Sequence, residues 1–280
     1  MNKIVETTNF SYRYNEAPDM ALKDINFDAQ AGEFVAIIGA NGAGKSTLCN
    51  ALAGLIPNYF IGHTNGEIRI RGENISKLGV GELSQTVGLV FQNPFNQLSY
   101  TAETVSEELA FGLGNRGLVK EIMIEKINKV AEIVQITNLL NRNPLELSGG
   151  QVQRVALAAA IILEPQILIL DECTTQLDPV GSQQIMKTVK MLNREGMTII
   201  MVDHDMEKVA DLANKVLVMH EGRLVLNDTP QKIFSNPKLT DYGVKAPDYY
   251  EITKDYSPHS VILTEEQAVK RLKEVLMNED

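Results

Sequence analysis

The stretch that decides the fold is FVAIIGANGAGKST, from Phe34 to Thr47. It begins with a nearly continuous apolar run that ends at Ile38, which predicts a short strand buried on both faces of a sheet. The next eight residues, Gly39 to Ser46, fit the pattern G-x-x-x-x-G-K-[ST] at every fixed position. Helical periodicity starts at Ser46. A buried strand, a glycine-rich loop and a helix in this order predict a phosphate-binding loop.

Each residue type in this loop has a physical role in holding phosphate groups. Glycines let the backbone turn its N–H groups toward phosphate oxygens, and the following helix directs the positive end of its dipole at the same anion. Lys45 is expected to bridge the outer phosphates and Ser46 to bind Mg²⁺. The predicted nucleotide contacts of the loop are Gly39, Asn41, Gly42, Ala43, Gly44, Lys45, Ser46 and Thr47.

Strands and helices alternate through most of the chain. Further strand patterns occur at 66–71 and 87–91, and buried-strand patterns occur at 167–170 and 198–202. Helical patterns lie between them and after the last. This alternation predicts an α/β fold with a mostly parallel sheet and right-handed crossovers. Segments 10–14 and 22–27 alternate more loosely between apolar and polar residues, which predicts additional strands before the loop.

The middle and the tail of the chain have a different character. Helical periodicity over 103–113 and 118–136 predicts a helical subdomain, at about residues 95–155, inserted into a nucleotide-binding domain of residues 1–235. Residues 236–280 form a C-terminal extension that ends in a helix, with Thr264 and Gln267 as its capping box. A terminal helix of this kind is expected to dock on its own chain, with a partner contact as the alternative.

Composition excludes several classes of function. The net charge of −10 argues against binding to nucleic acid, which requires clustered Lys and Arg. The longest apolar run, 155–163, is about half of the ~20 residues that a membrane-spanning helix requires. The two cysteines, Cys49 and Cys173, do not make a disulfide framework, so we expect a reducing cytoplasm and two buried thiols rather than a redox switch.

A pair of carboxylates follows the buried strand 167–170. Asp171 is expected to hold Mg²⁺ through water, and Glu172 to act as the general base or to orient the attacking water. Two acidic residues at a strand end also occur as a solvated surface feature, but the phosphate loop in the same chain favours the catalytic interpretation.

The stretch LSGGQ, Leu147 to Gln151, begins another predicted helix. A serine and two glycines at a helix N-terminus make a second anion site, formed by Ser148, Gly149, Gly150 and Gln151. One nucleotide needs only one phosphate cradle from its own chain. The second cradle therefore predicts that this chain caps the γ-phosphate of an ATP held by another copy of the domain.

With these motifs in this order, residues 3–235 resemble the nucleotide-binding subunit of an ABC transporter. The resemblance implies an ATPase with a RecA-like P-loop core, an antiparallel β part and an inserted α-helical subdomain. It also implies that Gln92 links the catalytic Mg²⁺ and water to the membrane subunit and that His204 contacts the γ-phosphate. Asp178, within Leu177-Asp178-Pro179, matches the loop that couples the two sites across a dimer.

The adenine contact is also inferred from the resemblance. Tyr14 matches the aromatic residue that stacks on adenine in the family, and Tyr12 is the alternative because it lies two residues earlier in the same strand.

A finer resemblance is to the ATPases of energy-coupling factor (ECF) importers, which take up vitamins and transition-metal ions. It is carried by FQNPFNQL at 91–98, AFGL at 110–113, SGGQVQRVA at 148–156 and GVKAP at 243–247. The implied cofactors are ATP and Mg²⁺. The implied partners are a second ABC ATPase, identical or homologous, an integral membrane coupling protein and a substrate-binding membrane protein. The expected location is peripheral, on the cytoplasmic face of the cell membrane.

Two residues depart from the ECF pattern. Cys173 stands where the family usually has proline after Asp-Glu, and Phe95 stands where an acidic residue is usual after Asn-Pro. Neither departure removes a catalytic group, but Phe95 alters the groove expected to receive the membrane protein.

Other functions fit the sequence less well. The most serious alternative to the ECF type is the ATPase of another ABC importer or of an exporter. A soluble ABC ATPase in translation usually carries two such cassettes, whereas this chain carries one. Genome-maintenance relatives insert a long coiled coil between the positions of Lys45 and Ser148, which this chain has no room for, since the two residues are 103 positions apart. A small-molecule P-loop kinase leaves LSGGQ and His204 unexplained.

Overall fold

The structure is a computed structural model that describes residues 3–255 and 261–277, with side chains through residue 274. The strands are β1 (Lys3–Tyr14), β2 (Leu22–Gln30), β3 (Phe34–Gly39), β4 (Gly62–Ile70), β5 (Glu73–Asn74), β6 (Val87–Val90), β7 (Ile167–Asp171), β8 (Thr198–Val202), β9 (Lys215–His220) and β10 (Arg223–Asp228). The helices are α1 (Lys45–Leu52), α2 (Leu55–Asn58), α3 (Val80–Leu83), α4 (Val105–Gly114), α5 (Lys120–Ile133), α6 (Gly149–Ile161), α7 (Pro179–Arg194), α8 (Met206–Leu212), α9 (Pro230–Phe234), α10 (Asp248–Thr253) and α11 (Glu265–Met277).

The central sheet has six strands in the order β10-β9-β3-β8-β7-β6. The five strands from β9 to β6 run parallel, and β10 pairs antiparallel with β9 as a hairpin. Because parallel strands end at the same edge, the residues that follow β3, β8, β7 and β6 come together along one side of the sheet.

Both faces of this sheet are covered, which explains the continuous apolar runs in its strands. In β3, Phe34, Ala36 and Ile38 pack into one hydrophobic cluster, whereas Val35 and Ile37 pack into the other. All five side chains are essentially inaccessible to solvent. Burial of large aliphatic side chains such as these contributes about 1.5–3 kcal/mol each relative to exposure.

A four-stranded antiparallel sheet, in the order β2-β1-β4-β5, covers one side of the core together with α1. Phe27 and Ile70 from that sheet share a cluster with Leu48 and Leu52 of α1. The strand β1 is longer than the 10–14 segment that its pattern predicts, because register shifts near Phe10 interrupt the alternation.

Helices α4, α5 and α6 lie on the opposite side, where their apolar faces join the cluster that contains Phe34. α4 begins at a capping box, in which Glu107 N–H donates to Thr104 Oγ1 at 3.2 Å and Thr104 N–H donates to Glu107 Oε2 at 3.2 Å. α4 and α5 fall within the segment for which the sequence predicts an inserted helical subdomain.

The tail after β10 adds short helices and then α11, which packs against α10 and buries Ala268. Among the described residues, no helix is long and apolar enough to cross a membrane. The predicted fold class, a P-loop α/β fold with a mostly parallel sheet and an antiparallel β part, is confirmed.

Candidate nucleotide site

The candidate site is a cleft at the carboxyl edge of the parallel sheet. The phosphate loop follows β3, and His204 follows β8. Asp171 ends β7, Glu172 comes immediately after it, and Gln92 follows β6. These four strands are neighbours in the sheet, so sequence positions far apart meet in space. The cleft is lined by Tyr14, Ala21, Asn41, Gly42, Gly44, Lys45, Ser46, Thr47, Gln92, Glu172, Thr175 and His204.

Close packing under the phosphate loop requires glycine at two of its positions. Gly39 has φ of 148°, and a β-carbon added there would lie 2.2 Å from the carbonyl oxygen of Met219 in β9. Gly44 has φ of 101°, and an added β-carbon would lie 2.8 Å from the carbonyl oxygen of Ala21. The loop is therefore supported by backbone from β9 and from the start of β2, as well as by its own strand and helix.

Lys45 folds back over the loop. Its ammonium Nζ donates to the carbonyl oxygens of Gly39 at 3.0 Å and Ala40 at 3.1 Å, and the residue is only 5% exposed. Burial lowers the pKa of this ammonium below its ordinary value, against the opposing influence of Glu172 and Asp171. A phosphate ligand would add negative charge beside this ammonium and so oppose the effect of its burial.

The oxygen atoms expected to hold Mg²⁺ lie side by side. Ser46 Oγ donates to Asp171 Oδ1 at 3.1 Å, which joins the start of α1 to the end of β7. Burial raises the pKa of the Asp171 carboxyl, because the charged form has lost hydration. Hydroxyl and carboxylate oxygens are ligands that Mg²⁺ prefers, and a cation here would restore the charge balance around Asp171. The residues present therefore fit a magnesium ion.

Glu172 is the centre of a three-residue bridge across the ends of β6, β7 and β8. Gln92 Nε2 donates to Glu172 Oε2 at 2.6 Å, and His204 Nε2 lies 2.7 Å from Glu172 Oε1. The backbone of Glu172 is left-handed, with φ of 50°, and its N–H donates to the carbonyl of Val202 at 3.1 Å. The strained backbone directs the carboxylate into the cleft, where Gln92 and His204 hold both of its oxygens.

The two tyrosines at the end of β1 have different environments. Tyr12 is fully buried, and its hydroxyl donates to the carbonyl of Phe60 at 3.0 Å. Tyr14 lines the cleft, its hydroxyl lies 3.1 Å from Thr47 Oγ1, and its ring meets that of Tyr12 edge to face at 4.8 Å. The geometry therefore leaves Tyr14, and not Tyr12, with a ring that a base in the cleft is able to reach.

Ser148, Gly150 and Gln151 of LSGGQ line a second cleft, which shares no lining residue with the first. Ser148 N–H donates to Gln151 Oε1 at 3.0 Å at the start of α6, and Ser148 and Gly149 are exposed. Asp178 lines the same second cleft and caps α7, where its Oδ1 accepts from Gly181 N–H at 2.7 Å. The structure thus groups Ser148, Gly150, Gln151 and Asp178 in one cleft apart from the phosphate loop, with Gly149 exposed between Ser148 and Gly150.

Known proteins resemble this chain in sequence. The profile of the ABC transporter family matches residues 22–175. The energy-coupling factor transporter ATP-binding protein EcfA1 of Enterococcus faecalis is 40% identical over 250 residues, which cover 88% of this chain and 87% of that protein. The protein of the same name from Streptococcus pneumoniae is 37% identical and covers 95% of this chain and 94% of its own.

Two solved structures extend the likeness to three dimensions. CbiO1 of Clostridium perfringens, described as part of the ABC transporter complex CbiONQ, superposes with a TM-score of 0.74 at 32% identity, over 92% of this chain and 97% of that one. The ATP-binding cassette MJ0796, solved as a dimer in a post-hydrolysis state with ADP and phosphate, gives 0.71 at 28% identity, over 80% and 98%.

The chain belongs to the ABC transporter ATP-binding proteins. It is a transporter ATPase that binds ATP, and its relatives include the ATP-binding proteins of ECF transporters. The predicted family and its ECF likeness are confirmed.

Within this ABC ATPase, the strand pair β9–β10 is a support of the site that sequence reasoning missed. Its turn residue Gly222 donates its N–H to the carbonyl of Ala43 in the phosphate loop at 3.1 Å. Glu221 and Gly222 both have positive φ, at 47° and 79°, as in a two-residue hairpin turn. The sequence signal for this hairpin is KVLVMH-EG-RLVLND, in which the two turn residues Glu221 and Gly222 separate two apolar runs.

The two departures from the ECF pattern occupy contrasting places in this ABC ATPase. Cys173 is buried, and burial raises the pKa of its thiol to about 12. Burial also raises the pKa of Cys49, so both cysteines are held as neutral thiols with low reactivity. Phe95, three residues after Gln92 in the chain, is 46% exposed and adds apolar surface there.

Proposed function

We propose that this chain is the ATPase subunit of an ECF-type ABC transporter and energises uptake of a micronutrient, a vitamin or a metal ion, through ATP-driven closure of an ATPase dimer. The proposal rests on 40% identity to a protein named as an ECF transporter ATP-binding protein, together with the arrangement of the two clefts.

The observation that carries dimer closure is the separation of the phosphate loop from LSGGQ within one chain. The two clefts share no lining residue, so one chain by itself does not enclose a nucleotide with both cradles. A second ABC ATPase, identical or homologous, would place its own Ser148 equivalent over the ATP of the first. The neighbour MJ0796 was solved as a dimer, which supports this mode of assembly.

We propose the following roles in nucleotide binding. Tyr14 stacks on the adenine, and Gly39, Asn41, Gly42, Ala43, Gly44 and Thr47 surround the phosphates with the backbone of the loop and the first turn of α1. The Lys45 ammonium leaves its two carbonyl partners and pairs with the outer phosphates. The negative charge of the phosphates stabilises the charged form of Lys45, which burial disfavours. Ser46, Asp171 and Gln92 hold Mg²⁺, which when bound neutralises charge that develops on the phosphate oxygens.

In hydrolysis, Glu172 accepts a proton from the attacking water or orients that water toward the γ-phosphate. Gln92 and His204 already contact the two carboxylate oxygens, so they fix the orientation of the base before substrate arrives. From the opposite subunit, Ser148, Gly149, Gly150 and Gln151 approach the γ-phosphate, and Asp178 couples the two sites.

The closed dimer is favoured by ATP because only that state completes both phosphate cradles. Loss of the γ-phosphate removes the anion that bridges the subunits, and the dimer opens. Gln92 is the second residue after β6 and lies three residues before the exposed Phe95 in the chain. Movement at the cleft would be transmitted through this segment to the surface expected to receive the membrane coupling protein. The chain would work peripherally, on the cytoplasmic face of the membrane.

The test is affinity purification of the tagged chain from detergent-solubilised membranes of its own cells, with untagged cells as the control. We expect three integral or peripheral companions: a second ABC ATPase or a second copy, a coupling membrane protein and a small substrate-binding membrane protein. Recovery of a large permease of another ABC class, or of no membrane protein, would overturn the ECF assignment.

A further inference from the structure

The C-terminal tail returns to the phosphate loop. A 3₁₀ helix over Leu239–Tyr242 ends at Gly243, whose backbone is left-handed with φ of 74°. A β-carbon added at Gly243 would lie 3.2 Å from the β-carbon of Ala40, the second residue of the phosphate loop. Leu239 and Val244 are buried in the core on either side of this contact, so the tail is held firmly in place.

Ala40 connects this contact directly to the nucleotide site. Its carbonyl oxygen is one of the two acceptors that hold Lys45 Nζ, at 3.1 Å. A shift of Ala40 therefore moves an acceptor of the lysine that we assign to the outer phosphates. Gly243 has no contact with the cleft itself, so it acts only through Ala40.

The same tail also contacts two other elements beside the site, β9 and α8. The ring of Tyr242 lies 5.5 Å from the ring of His220, at the end of β9. The backbone N–H of Asp248 donates to Glu207 Oε1 at 2.8 Å, and Glu207 is in the first turn of α8, which follows His204. The tail thus spans from the phosphate loop to the helix that follows the γ-phosphate histidine.

We propose that residues 239–248, which we call the tail clamp, position the phosphate loop, and that Gly243 is a positioning residue for ATP binding. The inference rests on the proposed role of the phosphate loop and of Lys45. Any alanine at Gly243 has to adopt an unfavourable φ and to approach Ala40 more closely than carbon atoms normally do, so the loop or the clamp moves.

A double-variant cycle tests the contact. ATP affinity and steady-state hydrolysis are measured for the parent, Gly243→Ala, Ala40→Gly and the double variant. We expect Gly243→Ala to raise Kd and KM for ATP severalfold with kcat nearly unchanged, because Glu172 is untouched. Ala40→Gly removes the opposing β-carbon, so the double variant should bind ATP at least about twofold more tightly than additivity predicts.

Gly196→Ala is the matched control. Gly196 also follows a helix with positive φ, of 103°, but it lies before β8 at the opposite edge of the sheet and an added β-carbon meets nothing within 4 Å. We expect its ATP affinity to equal that of the parent. Additive effects in the cycle, or an equal loss of affinity in Gly196→Ala, would overturn the inference.

Hydrogen exchange gives an independent answer if Gly243→Ala does not fold. The measurement uses Glu172→Gln, which should bind ATP but not hydrolyse it. In this variant, ATP should slow hydrogen exchange of the Gly243 amide, which donates to the Thr240 carbonyl, and of the Val244 amide, which donates to the Leu239 carbonyl. The Gly196 and Met197 amides, which donate in the same pattern after α7, should not change. Unchanged exchange at Gly243 overturns the clamp.

The variant Lys45→Ala distinguishes failure of the tail clamp from failure of the role proposed for the phosphate loop. If ATP binding by the parent does not depend on Lys45, the role of the phosphate loop fails. If binding depends on Lys45 and the cycle is additive, only the tail clamp fails.

Discussion

The cleft at the phosphate loop and the cleft at LSGGQ differ in how much of their chemistry one chain completes. In the first, Lys45, Asp171 and Glu172 are all largely buried and already held by neighbours in the same chain. In the second, Ser148 and Gly149 are exposed at the start of α6. The first cleft contains the candidate base and metal ligands, whereas the second offers an exposed helix start to a partner.

This difference indicates which effects belong to one subunit and which require two. Substitutions in the first cleft should change binding or catalysis in the subunit that carries them. Substitutions in the second should act on the nucleotide of the other subunit. The predictions below follow from this division, from the largest expected effect to the smallest.

Glu172→Gln should reduce kcat for ATP hydrolysis by about 10²–10⁴-fold, the usual contribution of a general base, because an amide does not accept the proton of water. ATP binding should persist, and ATP-bound dimers should accumulate. Phosphate release, nucleotide binding and gel filtration measure the three properties. Glu195→Gln, outside both clefts, is the control, and hydrolysis by Glu172→Gln at the parental rate would show that Glu172 is not the base.

Lys45→Ala and Ser148→Arg should each be nearly inactive alone, yet regain activity when the two proteins are mixed. A mixed dimer contains one intact composite site, formed by Lys45 of one chain and Ser148 of the other. Random pairing makes half of the dimers mixed, so hydrolysis should recover to roughly a quarter of the parental rate. A mixture that exchanges subunits but stays inactive would contradict the shared site; exchange is followed by differential tagging.

Tyr14→Ala should weaken ATP binding by about tenfold, within the ~1–3 kcal/mol that stacking of a base on an aromatic ring contributes. Tyr14→Phe keeps the ring and loses only the contact with Thr47 Oγ1, so most of the affinity should remain. Titration of ATP against both variants measures the difference. Equal losses in the two variants would show that the hydroxyl, rather than the ring, matters.

Asp171→Asn should make the nucleotide-free chain slightly more stable at pH 7, although it removes Mg²⁺-dependent hydrolysis. Burial raises the pKa of Asp171, so the native chain binds its proton more tightly than the unfolded chain does. The ionised carboxylate therefore lowers the free energy of unfolding at neutral pH, and this cost disappears as the pH falls below the raised pKa.

Thermal melts at pH 7 and in acid measure this effect. The gain in Tm from Asp171→Asn should shrink as the pH falls. A lower Tm for Asp171→Asn at pH 7 would contradict the charge argument.

Most of the cleft at the phosphate loop was predictable because its residues lie within short motifs at strand ends. The pattern around Lys45, the pair Asp171-Glu172 and the residue His204 each follow a buried apolar run. Once those runs are recognised as parallel strands, their ends must meet at one edge of the sheet. The bridge from Gln92 and His204 to Glu172 is a consequence of that strand order.

The choice between Tyr12 and Tyr14 was not predictable from spacing. The residues are two apart in one strand, so ideal alternation places them on the same face. Pairing with β4 is regular from Ser11 to Tyr14, and the two rings do meet on one face, at 4.8 Å. Tyr12 is nevertheless fully buried, whereas Tyr14, the last residue of β1, lines the cleft. Only the packing around the end of the strand determines this difference.

The sequence by itself determined the phosphate loop, the carboxylate pair, LSGGQ and the alternation that makes a parallel sheet, because each depends on residues close together in the chain. The tertiary structure decided that LSGGQ lies in a separate cleft, that β9 and β10 support the loop and that Gly243 reaches Ala40. These contacts join positions far apart in sequence, and they depend on which elements pack together rather than on any local pattern.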